Sequence, residues 1–72
     1  MMDSVMKMYQ RIKDLREDHD MSQKQLAEYL CVSQPTYSRY ENGRLDVPSE
    51  ILIALSKLYG VSVDYILGLR DE

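Results

Sequence analysis

The sequence predicts an all-α domain of five short helices and no sheet. Three observations lead there. Apolar residues recur at three- and four-residue steps in successive segments, and no stretch sustains a period-two alternation. Serine residues that suit helix starts precede three of those segments. The 2 Pro and 3 Gly fall only where a helix is expected to begin or end.

The spacing predicts a first helix over residues 4–19. Val5, Met8, Ile12 and Leu15 make one apolar stripe, and Lys7, Arg11, Lys13, Asp14, Glu17 and Asp18 fill the other face. The methionines clustered around Met8 are expected to fill an edge of this helix. Ser22-Gln23-Lys24-Gln25 reads as a capping box, in which serine accepts from the first turn and glutamine reaches back to the cap. The second helix then carries Leu26, Ala27 and Leu30 and ends near Cys31. Ser33 caps a third helix, with Pro35 in its first turn, where a missing N–H costs nothing. Tyr37 and Tyr40 share its inner face, and Gly43 supplies a left-handed stop. Pro48 is expected at the first position of the fourth helix, with Glu50 in its first turn. Ile51, Ala54, Leu55 and Leu58 form the fourth stripe, closed by Gly60. Ser62 caps a fifth helix carrying Val63, Ile66 and Leu67, closed by Gly68. Tyr9 and Tyr59 are expected at the rim of the core.

Length and composition narrow the function classes. The 72 residues allow one domain, taken as residues 1–72. A chain this small buries only about 60% of its unfolded surface. One Cys leaves no intrachain disulfide, and a reducing, cytoplasmic setting is expected. One Cys and one His fall short of the roughly four ligands of a structural zinc site, so no metal is expected. The longest apolar run, residues 51–55, is far below the ~20 residues that cross a bilayer. Met1-Met2-Asp3-Ser4 lacks the basic and apolar stretches of a signal peptide. No nucleophile–base set or Gly-rich phosphate loop is visible, so neither an enzyme, a cofactor nor a small-molecule substrate is expected. His19 beside Asp20 reads as a solvated turn.

Function concentrates in the second and third helices. The three residues Cys31-Val32-Ser33 join them, and so short a link forces a steep crossing, the helix-turn-helix geometry. The first and fourth helices supply apolar faces to hold the pair. Gln34, Thr36, Ser38 and Arg39 are left on the outer face of the third helix. All can hydrogen-bond and none is acidic. Gln pairs bidentately with adenine and Arg with guanine in the major groove. On spacing alone an ordinary solvated face is the competing reading, and Arg39 suits either a base or a phosphate. The first-turn N–H groups near Gln23 and Gln34 suit phosphate oxygens.

These residues resemble a known family. Arg16, Ser22-Gln23, Leu26-Ala27, Leu30-Cys31-Val32-Ser33-Gln34 and Ser38-Arg39-Tyr40-Glu41-Asn42-Gly43 look like the Cro/CI (XRE) phage-repressor helix-turn-helix family. Leu55, Leu58 and Gly60-Val61-Ser62-Val63-Asp64-Tyr65-Ile66-Leu67-Gly68 continue the likeness, which covers residues 9–69. The resemblance implies a lambda-repressor-like, sequence-specific regulator of a double-stranded DNA operator, acting as a homodimer. It places Gln34, Thr36, Ser38 and Arg39 at base edges and Gln23, Asn42 and Arg44 on the DNA backbone. It makes Arg16 and Glu41 a buried structural ion pair, and it locates dimer contacts after the fourth helix, where Val61, Val63, Ile66, Leu67 and Leu69 form an apolar patch. Two residues depart from the family pattern. Cys31 stands where a left-handed Gly is common, at a cost of about 1 kcal/mol if the backbone is kept, and is expected to pack in the turn. Pro35 replaces a residue that contacts bases in some relatives, and it biases Gln34 away from helical angles.

The net charge of −3 opposes a DNA partner, but it is unevenly spread. Residues 1–21 carry −1, residues 46–72 carry −3, and residues 22–45 carry +1. Lys7, Arg11 and Lys13 are further candidates for flanking contacts. A phage repressor, a restriction–modification controller and an antitoxin all fit. The alternative of another class is a protein-interaction module that kept the fold with weak or no DNA binding.

Overall fold

The computed structural model describes residues 9–71. The expected start of the first helix, with Val5, Lys7, Met8 and the methionine cluster, lies outside them. The described part is α-helical, without a strand: α1 (Gln10–Asp18), α2 (Gln23–Leu30), α3 (Gln34–Glu41), α4 (Ser49–Tyr59) and α5 (Val63–Ile66).

Local chemistry sets most boundaries. α1 buries Ile12 and Leu15, and Tyr9 packs one turn before them. It stops because Asp20 turns left-handed at φ 55°, which lets the Met21 N–H return to the Arg16 carbonyl at 3.1 Å. Asp tolerates this conformation better than most residues. α2 opens on the full capping box: Gln25 N–H donates to Ser22 Oγ at 3.0 Å, and Ser22 N–H donates to Gln25 Oε1 at 2.8 Å. It closes at Cys31, which adopts φ 60°, ψ 39°. Cys31 is exposed, contrary to the expectation that it packs in the turn, and it contributes the left-handed backbone alone.

Ser33 Oγ accepts from the Thr36 N–H and caps α3. Gln34 is helical despite the proline after it, because the cap holds the first turn. Gly43 at φ 72° follows α3 and lets the Arg44 N–H return to the Arg39 carbonyl at 3.0 Å.

α4 differs from expectation in two ways. Pro48 is extended and precedes the helix instead of occupying its first turn. Its buried stripe is Ile51, Leu52, Leu55 and Tyr59, while Ala54 and Leu58 are only half-buried. α5 is a single turn capped by Ser62, which accepts from the Tyr65 N–H at 3.0 Å, and Leu67 falls at its end.

One apolar core joins all five helices. α2 packs on α3, α1 on α3 and α5, and α4 on α5. Ile12, Leu26, Tyr37, Leu55 and Ile66 are fully enclosed. Tyr9 and Tyr59 belong to this core as well as to its rim, and Tyr9 Oη accepts the buried Val47 N–H at 3.4 Å. His19 is exposed but not idle: its ring lies 4.8 Å from that of Tyr59, and its Nδ1 is 2.8 Å from the Leu15 carbonyl. Among the described residues no helix is long and apolar enough to cross a membrane, and no group of His, Cys, Asp or Glu is set to hold a metal.

Candidate nucleic-acid interface

α3 turns Tyr37, Tyr40 and Glu41 into the core. At 100° per residue the opposite row is Pro35, Arg39 and Asn42, with Thr36 and Ser38 on its flanks. Gln34, Pro35, Arg39 and Asn42 are exposed, and Thr36 and Ser38 are half-buried. The outer edge of α3 is therefore open along its length. Pro35 stands at the centre of that row, a place that sequence reading did not assign to it. Its place follows from the three-residue offset to Ser38 and the four-residue offset to Arg39. Thr36 is less available than expected, because its Oγ1 accepts the Ser33 hydroxyl at 2.8 Å and so belongs to the cap.

The start of α2 meets the end of α3. Gln23 is half-buried, and its Nε2 donates to Glu41 Oε1 at 3.1 Å. Asn42 follows Glu41 directly, Arg44 comes two residues later, and both are exposed. Gln23, Asn42 and Arg44 thus gather at the C-terminal end of α3, beside its open row. Lys24, also exposed in the first turn of α2, is a further cation near this end that sequence reading left without a role. The first-turn N–H groups of α2 have no intrahelical acceptor. In α3 Pro35 removes one such donor and Ser33 takes another, so the start of α3 is the poorer anion site.

Beneath this end lies a charged network. Arg16 Nε donates to Glu41 Oε2 at 2.6 Å and Nη2 to Oε1 at 3.2 Å, a bidentate fork. Arg16 Nη1 donates to the Met21 carbonyl at 2.9 Å. The side chains keep only 13% and 2% of their surface exposed. Burial on its own would raise the Glu41 carboxyl. The Arg16 guanidinium, with the Tyr37 hydroxyl and the Gln23 amide, outweighs it and holds the carboxyl below its ordinary value. The bond to Glu41 in turn raises Arg16. The Tyr37 hydroxyl is buried without a well-formed hydrogen bond. Burial and the neighbouring carboxylate push it well above the usual tyrosine range, and burial pushes Tyr59 up to about 12.

Two expectations about the periphery change. Arg11 is not free to flank a ligand: it donates to the Tyr65 carbonyl at 3.0 Å and to that of Arg70, and lies 4.3 Å over the Tyr65 ring. It caps the end of α5, where a cation is favoured. Lys13 remains exposed, and Lys7 lies outside the described residues. In the apolar patch, Ile66 has 0% exposure and belongs to the core, so it is withdrawn from any interface. Val61, Val63 and Leu67 are half-buried, and Leu69 is 72% exposed.

Two short helices crossing over a three-residue link, with the second presenting an open polar edge, define a helix-turn-helix domain. A family model for helix-turn-helix matches residues 12–66. The chain belongs to this family, the Cro/CI (XRE) group of DNA-binding transcriptional regulators, and the family is not one of enzymes. It is 43% identical over 63 residues to the uncharacterised HTH-type transcriptional regulator YobD of Bacillus subtilis, covering 88% of this chain and 56% of that protein. It is 39% identical to the HTH-type transcriptional regulator ImmR of the same organism, covering 93% and 52%. It is 37% identical to the antitoxin PezA of Streptococcus pneumoniae, covering 79% and 36%. The chain spans about half the length of the first two relatives. No solved structure matches it.

Proposed function

We propose that this domain binds a double-stranded DNA operator as a homodimer, with α3 in the major groove, and regulates transcription in the cytoplasm as a repressor. The observation that carries this reading is the open outer edge of α3, flanked at its end by Gln23, Asn42 and Arg44. Arg39, Gln34, Ser38 and Thr36 read base edges. Gln23, Asn42 and Arg44 hold phosphates and set the register. Each copy carries a single α3, and successive half-sites lie about 34 Å apart, so a second copy reads the second half-site. The patch of Val61, Val63, Leu67 and above all Leu69 supplies the contact.

The test is selection of bound duplexes from a random pool, followed by titration in salt. A palindromic site with half-sites one helical turn apart is expected, with affinity falling steeply as salt rises. Affinity indifferent to salt would overturn the proposal. The similarity to the antitoxin PezA and the net charge of −3 favour a second reading, a protein-interaction role with weak DNA binding. Under that reading no sequence is enriched from the pool.

A further inference from the structure

We propose that Glu41 is a positioning residue for DNA: its carboxylate sets which way the Gln23 amide faces, so that Gln23 meets a backbone phosphate with an N–H and not with its carbonyl. The inference rests on the DNA reading above.

The argument begins with donors and acceptors. An ionised carboxylate only accepts, and an amide has one donating and one accepting end. Glu41 Oε2 takes Arg16 Nε, and Oε1 takes both Arg16 Nη2 and Gln23 Nε2. The Gln23 nitrogen is therefore the end turned toward Glu41. Nε2 has two hydrogens, and one remains after the bond to Glu41. A phosphate oxygen is also an acceptor, so that second hydrogen is what it needs. A freely rotating amide would present its carbonyl for part of the time and repel the phosphate.

Arg16 completes the device. Without it, Glu41 would hold an uncompensated negative charge 3.1 Å from the amide meant to receive an anion. The bidentate guanidinium offsets that charge and fixes the plane of the carboxylate. The network thus links a core ion pair to a half-buried side chain at the proposed surface. A second contact, from Arg16 Nη1 to the Met21 carbonyl, holds the turn that leads into Gln23.

The experiment scans the selected operator with methylphosphonates, each replacing one charged phosphate. Wild type is expected to lose about three- to tenfold in affinity at the linkage that Gln23 touches, the worth of one modest hydrogen bond. Gln23→Ala should abolish the response at that linkage alone. Glu41→Gln, whose amide can pair with Gln23 in either orientation, should abolish the same response and leave the others. A purely structural Glu41 would lower affinity evenly with the profile unchanged, and that result would overturn the inference. Should Glu41→Gln fail to fold, 15N relaxation of the side-chain amides in wild type decides. The Gln23 amide is expected to be rigid, and equal mobility with exposed Gln34 would overturn the inference. Absence of any duplex binding by wild type would bring down the DNA reading as well, and is distinguishable from binding with an unaltered profile.

Discussion

At Glu41 a carboxylate is almost wholly withdrawn from water, and the side chains of Arg16 and Gln23 donate to it. The folded carboxyl lies below its unfolded value of about 4.3. Its contribution to stability is complete above that value and is lost as pH falls through the lower folded one. Removing one partner strands the other charge. Arg16→Ala is expected to cost about 3–5 kcal/mol at neutral pH. Urea unfolding between about pH 6 and pH 3 checks both statements, because the gap between wild type and Glu41→Gln should narrow as the carboxylate protonates. A gap independent of pH would refute the role of ionisation.

The exposed cations differ from this pair in what they are asked to do. Arg39 lies in the outward row of α3, and Arg44 lies past its end. Arg39→Ala should cost about 1–3 kcal/mol and relax the preference at one base pair per half-site. Arg44→Ala should weaken every duplex alike and flatten the dependence on salt. An equal loss on all sequences for Arg39→Ala would make it a phosphate contact.

At the scale of the element, the helices are short and rely on their ends. α2 and α3 have eight residues each, below the length at which an isolated helix is stable. Capping and packing on a neighbour make up the difference. The turn between them depends on a left-handed Cys31, which meets the turn's geometry at a steric cost. Cys31→Gly removes that cost, and its exposed side chain leaves no cavity behind. A gain of about 1 kcal/mol is expected, read from thermal unfolding. A loss of stability would mean that the thiol contributes contacts that its exposure does not suggest.

The elements were also the most legible part of the sequence. Ser22-Gln23-Lys24-Gln25, Ser33 with Pro35, and Ser62 each announce a start by a bond made within four residues, so local chemistry suffices. The signal failed where the neighbours were distant. Pro48 takes extended angles at the N-cap of α4, and Val47 beside it is buried and donates to Tyr9, 38 positions away. The α4 stripe shifted from Ala54 and Leu58 toward Leu52 and Tyr59 because the angle of approach to the core chooses among adjacent apolar positions.

For the whole molecule, the separation of inner from outer apolar residues governs assembly. Ile66 and Leu69 are three residues apart and equally apolar, but one is enclosed and the other stands in solvent. Ile66→Ala should cost about 2–5 kcal/mol of stability, as a large core deletion does. Leu69→Ser should leave the unfolding of the dilute monomer unchanged and weaken self-association, measured by sedimentation. A variant with unaltered association would remove Leu69 from the dimer contact.

The sequence by itself determined the helical class, the short crossing between α2 and α3, and the membership of Gln34, Thr36, Ser38 and Arg39 in one helix, because caps, turns and periodicity act over a few residues. The tertiary structure alone decided which of those side chains are open. It also decided that Arg11 serves the end of α5 and that Gln23 leans on Glu41. Such contacts join residues 18 to 59 positions apart, and their partners are set by how the helices stack around a small core.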